Sequence, residues 1–118
     1  MSNTQEQIQQ IEVTMEEAQD NLDRLNLLKS MEQTASFKDV ILEGYFNDEA
    51  SRLVLLKSDY EMQSPDKQAH IMRQIDAIGT FRQYLATLYY KGNMAEKALI
   101  ADKQTHEELL LEDAGAEE

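Results

Sequence analysis

The chain has 118 residues, 42% of them hydrophobic and 29% charged, with one proline, four glycines and no tryptophan. That length fits one domain with a core of Leu, Ile, Val and Met, and so few turn formers exclude a many-stranded sandwich or barrel. The absence of cysteine excludes disulfides, thiolate zinc sites, iron–sulfur clusters and thiol nucleophiles, and apolar runs as short as Leu53–Leu56 predict neither a membrane span nor a signal-peptide core.

The net charge of −12 sits at the two ends. Residues 1–23 hold six acids and no Lys or Arg, residues 107–118 hold six more and again no base, and residues 24–106 are formally neutral. A phosphate backbone needs a basic stripe, and the chain has none, so direct nucleic-acid binding is not expected.

In chain order, residues 1–7 are polar and read as a frayed start. From there Ile8, Ile11, Met15, Ala18, Leu22 and Leu25 recur at alternating spacings of three and four, the a/d seam of a heptad helix. Lys29 and Glu32 occupy the next seam positions and end it. The spacing predicts a helix over 6–31 with Glu16, Asp20 and Asp23 on its outer side. Ile8, Ile11, Met15, Leu22 and Leu25 are the candidate association seam, in cis or in trans, because a short heptad helix is marginal alone.

Ser36 reads as an N-cap with Asp39 in the first turn, opening a helix over 36–57. Its apolar set is Phe37, Val40, Ile41, Tyr45, Phe46, Ala50, Leu53, Val54 and Leu56. Gly44 within it is either a point of close helix approach or a tolerated weak point. Residues 58–64 lack periodicity and read as a loop. Ser64-Pro65-Asp66 is the sharpest boundary: a capping Ser, Pro at the first helical position, then an acid. Ile71, Ile75, Ile78, Leu85 and Tyr89 carry the next helix to Lys91-Gly92-Asn93, where Gly92 in a left-handed conformation would end it. A fourth helix over 94–111 has a small-residue face of Met94, Ala95, Ala98, Ala101 and Thr105, and residues 112–118 read as a disordered acidic tail. The expected fold is all-α, three to four helices in an antiparallel hairpin or bundle with a coiled-coil-like N-terminal helix. Its divisions fall at 1–35, 36–111 and 112–118.

Chemistry is sparse. Asp66/His70 and Asp102/His106 each share a helix face, but no nucleophile is tied to either pair. There is no His-Glu-x-x-His, no Glu-x-x-His, no calcium loop, and the glycines never cluster as in a phosphate-binding loop. No catalytic residue, metal site or cofactor is expected, and the chain does not read as an enzyme. Arg82, Tyr84, Tyr89 and Tyr90 lie in the one aromatic-basic stretch and are candidate partner contacts; as a helix that buries its tyrosine rings and keeps the hydroxyls wet, the same stretch has a plainer reading.

Phe37–Leu56 (FKDVILEGYFNDEASRLVLL) and Ile75–Lys97 (IDAIGTFRQYLATLYYKGNMAEK) resemble a group of small acidic helical proteins of tailed bacteriophages, in which an F-K-x-V-I-x-E-G-Y-F helix precedes an I-x-A-I-x-x-F-x-x-Y-L helix. The resemblance covers residues 33–110 and carries no catalytic signature. It implies a phage protein from the virion-assembly region, working in the host cytoplasm during infection or in the virion. The expected function is that of a non-enzymatic scaffold, assembly chaperone or minor virion component, with other phage structural proteins or a second copy as partners in a homo-oligomer. The alternative is an acidic nucleic-acid mimic that inhibits a host defence or transcription protein, since acids at 12, 16, 20 and 23 repeat every three or four residues.

Overall fold

The computed structural model describes residues 3–116, all-α with no strand among them. Helix α1 (Asn3–Glu32) is followed by a short α2 (Ala35–Phe37), a π-helix (Lys38–Glu49), α3 (Ala50–Lys57), a single 3-10 turn (Tyr60–Met62) and α4 (Pro65–Ala116). These elements form two compact units. The first comprises Met1–Leu27 and Leu88–Glu118, the second Leu28–Thr87. The first and last segments of the chain thus share a unit.

The first unit is built from α1 and the second half of α4. Helix α1 begins at Asn3, inside the segment read as frayed, and its inward positions follow the expected 3-4 spacing. The seam does not stop at Lys29, which is exposed; Leu28, one residue earlier, is buried instead and carries the stripe into the second unit. Helix α4 does not end at Lys91-Gly92-Asn93. Gly92 is helical, no glycine among the described residues has a positive φ, and α4 continues through residues 112–116. The break expected at residues 92–93 and most of the expected tail are thus helix; residues 117 and 118 lie outside the described residues. Along α4 every seventh residue from Ile71 to Asp113 is buried or half-buried, and so is every seventh from Gln74 to Leu109. An end signal of Lys-Gly-Asn is local, whereas this stripe extends over 43 residues, and the packing it provides outweighs the cap.

In the second unit the helix start lies two residues before the expected one. Thr34, in extended conformation, caps α2 by accepting the Phe37 N–H at 3.1 Å, so Ser36 is inside the first turn. The π-helix then departs from the expected α periodicity. Its inward side chains fall in pairs, Ile41/Leu42 and Tyr45/Phe46, four residues apart, and Glu49 with Ala50 at the start of α3 repeats the spacing before Leu53. A regular α-helix would alternate three and four; the wider i→i+5 turn keeps two adjacent residues inward each time. Val40, in the π-helix, and Val54, in α3, both assigned to the apolar face by sequence, are exposed. Gly44 does not meet another helix: the nearest atom to a Cβ there would be the carbonyl oxygen of Asp39, 3.0 Å away and five residues earlier in the same helix. Where the π-helix passes into α3, the Arg52 guanidinium bonds to the Glu49 carboxylate and holds it below the usual carboxylate range.

The core of the second unit is Leu53, Ile71 and Ile78, surrounded by Tyr45, Phe46, Ala50, Leu56, Met62 and Ile75. Phe46 and Phe81 stand 5.5 Å apart with Tyr45 against both, a tilted three-ring cluster that joins the π-helix to α4. The expected loop at 58–64 holds the 3-10 turn and closes the open carbonyl end of α3. Gln63 and Gln68 both donate to the Lys57 carbonyl at 2.9 Å, and Gln68 also donates to the Met62 carbonyl at 2.7 Å. The boundary at Pro65 stands as the sequence indicates, with the Ser64 carbonyl accepting the Gln68 N–H. Because Leu53 is only 1% exposed, Leu53→Ala is expected to cost about 2–5 kcal/mol in urea unfolding, whereas Leu55→Ala, on the exposed side of the same helix, should cost under about 0.5 kcal/mol.

Candidate association surface

The seam residues of α1 all lie inward. Ile8 and Leu25 are buried, and Ile11, Met15 and Leu22 are half-buried. The seam meets α4 of the same chain. Leu25 faces Gly92, and Glu12 reaches His106, whose Nε2 lies 3.0 Å from Glu12 Oε1. As α1 advances from residue 12 to 25, its partner on α4 retreats from 106 to 92, so the two helices run antiparallel.

Gly92 sets their separation. A Cβ at this position would lie 2.4 Å from both Cβ and Cδ2 of Leu25, whose side chain is fully buried. The first of these atoms is fixed to the α1 backbone, so even alanine would push the helices apart. Toward its end the α4 stripe turns polar, with Asp102, His106 and Asp113 half-buried at positions that earlier hold Phe81, Leu85 and Ile78. His106 is paired with Glu12 rather than with Asp102, and His70 in the second unit faces Gln74 rather than Asp66. Neither histidine thus forms the Asp–His pair that the spacing allowed. Among the described residues no group of three or more His, Cys, Asp or Glu is placed to hold a metal ion, and no helix is long and apolar enough to cross a membrane.

One flank of the pair is grooved. Two shallow depressions of about 410 and 370 Å³ adjoin at Thr14, the first against Ile11, Asp102, Thr105 and Leu109, the second against Ala18, Met94, Ala95 and Ala98. Their lining is less polar than the residue names suggest. The Thr14 hydroxyl donates to the Gln10 carbonyl and the Thr105 hydroxyl to the Ala101 carbonyl, which leaves methyl groups for the groove. Glu17 and Asp102 are its acids and Lys91 its one base.

The four residues of the aromatic-basic stretch are divided between the units. Arg82 and Tyr84 belong to the second, where Arg82 spreads over the Phe46 ring at 5.9 Å and Tyr84 is exposed. Tyr89 and Tyr90 belong to the first; Tyr89 is half-buried, and Tyr90, 67% exposed, borders the groove. The antiparallel return also gathers charge. The first unit holds 14 acids and 4 bases, a net charge of −10, and the second unit is left with −2. No protein family, no curated protein and no solved structure matches the chain.

Sequence reading missed Gly92 as a packing residue and the α4 stripe as a continuous heptad. The signal was the interval of seven linking Ile71, Ile78 and Leu85 to Gly92 and Leu99, which runs straight through the glycine. Gly92→Ala is expected to lower the melting temperature, because overpacking of about 1–3 kcal/mol exceeds the gain of about 0.5–1 kcal/mol in helix propensity. Gly79, which has open space where a Cβ would go, should give the opposite sign: Gly79→Ala raises it. Replacing Ile11 and Leu22 together with Asp should remove much of the helical circular dichroism at every protein concentration, since the seam is filled by α4 of the same chain. A fold that survives and only changes mass in light scattering would assign the seam to a second copy.

Proposed function

We propose that the protein is a non-enzymatic assembly or structural protein of a tailed bacteriophage, a scaffold, an assembly chaperone or a minor virion component, that acts by helix–helix association. The observation that carries this reading is the antiparallel pairing of α1 with α4, which uses the apolar stripes of both helices and leaves a mainly apolar, grooved flank beside them. Two helices bury less than a bundle does, and an open flank of small side chains is suited to a further helix. The resemblance at Phe37–Leu56 and Ile75–Lys97 supplies the phage setting, the host cytoplasm or the virion, with structural proteins of the same particle as partners.

The gathered acids give the nucleic-acid mimic its best case, and their density argues against it. The part of α1 in this unit spans about 37 Å at 1.5 Å per residue, so a net charge of −10 amounts to one charge per about 4 Å, against one per about 1.7 Å for duplex DNA. The test is to quantify the chain in purified particles, precursor particles and complexes of unassembled structural proteins. A fixed stoichiometry in at least one of them is expected. A chain found in none, but bound to a host protein from which duplex DNA displaces it, would replace this reading with mimicry.

A further inference from the structure

We propose that the groove on the flank of the first unit receives a basic amphipathic helix from a partner protein, completing a three-helix arrangement with α1 and α4. The inference rests on the reading of the chain as a helix-association protein and names what fits its surface. Three features determine the occupant. The depressions lie between two antiparallel helices and share Thr14, so they form one trough along the pair, a shape that takes a helix. Ala18, Ala95 and Ala98, together with the methyl groups of Thr14 and Thr105, let a backbone approach closely, while Met94, half exposed, is an adaptable apolar contact at the rim. Charge selects the partner. The unit carries −10, and the groove itself has two acids, Glu17 and Asp102, against Lys91. A second copy of this unit would bring −10 against −10, which long-range repulsion opposes, whereas a helix with Lys and Arg beside its apolar seam is attracted.

Specificity then divides along the surface. Acids on the outer side of α1 draw the basic helix in, with a dependence on salt, and the mainly apolar groove fixes where it lies. The test uses the full chain and a displayed library of four-heptad helices whose seam positions hold Ala, Leu or Ile and whose outer positions vary among Lys, Gln and Glu. Enrichment of Lys-rich members that compete with one another is expected. Ala98→Lys, which places one positive charge inside the groove at an exposed position, should weaken their binding about tenfold or more. Gln19→Lys makes the same change in net charge on α1 away from the groove lining and should weaken it less than about threefold. Unchanged helical circular dichroism in both variants keeps the comparison clean. Equal losses from the two variants would mean attraction without a docking site and would overturn the proposal, as would a library yielding no binders or acidic ones. A dimer in light scattering that Ala98→Lys converts to monomer would assign the groove to a second copy instead. Any of these failures leaves the particle measurement standing, because association through another surface would still place the chain in assembling particles.

Discussion

The first unit depends on an absent side chain. Glycine inside a helix costs about 1 kcal/mol relative to alanine, and Gly92 stands within a helix of 52 residues. What offsets that cost is Leu25 on α1, fully buried against it, since complete burial of a leucine contributes roughly 1.5–3 kcal/mol. The fit is directional as well as favourable. A large residue opposite an empty position allows one register, because a shift of a heptad in either direction would set Leu25 against Leu85 or Leu99. With the register held at that end, the stripe tolerates Asp102, His106 and Asp113 further along, where the helices have less apolar surface to offer and Glu12 pairs with His106.

The same contact explains which parts of the fold were legible in the sequence. The α1 spacing, the loop at 58–64 and the start of α4 at Pro65 were readable because periodicity and capping are local, and nothing distant competes with a proline at the first helical position. Gly92 was misread because Lys-Gly-Asn has the chemistry of a helix end, and only the partner helix reveals that the glycine is needed for its small size. The π-helix was hidden for a different reason. Val40-Ile41, Tyr45-Phe46 and Ala50 satisfy a broad α face as well as a wider turn, so their spacing does not separate the two. Of the candidate surface, the seam and Tyr90 could be named from the sequence, but the groove could not, since it needs the pairing of residues 7–21 with 90–109.

Charge distribution follows from topology. Two acidic ends, separate in the sequence, come together because α4 returns antiparallel to α1, and the second unit is left near neutrality. The second unit is held by elements that do not depend on net charge: three aromatic rings, a small aliphatic core, and glutamine side chains that close the carbonyl end of α3. The first unit accumulates like charge, which opposes its own compactness, and the buried contacts at Leu25, Ala95 and Leu99 must exceed that repulsion.

That balance gives the acids a physical role beyond solubility. An isolated pair of helices would be more stable with mixed charges, since opposite charges on neighbouring turns contribute a few tenths of a kcal/mol each and like charges cost about as much. Glu16, Glu17, Asp20 and Asp23 sit within eight residues of α1, with Arg24 the only base in the part of α1 that belongs to this unit. Neutralisation from outside would remove that repulsion, so a basic partner would gain the relief of an existing strain in addition to its own contacts. The groove beside these acids is lined mainly by apolar surface, so contact there leaves few carboxylates, Glu17 and Asp102, whose desolvation a basic partner must offset by pairing with them. Attraction and docking thus meet at Glu17, which belongs to the acidic run and also lines the groove, while Glu16, Asp20 and Asp23 attract from outside the lining.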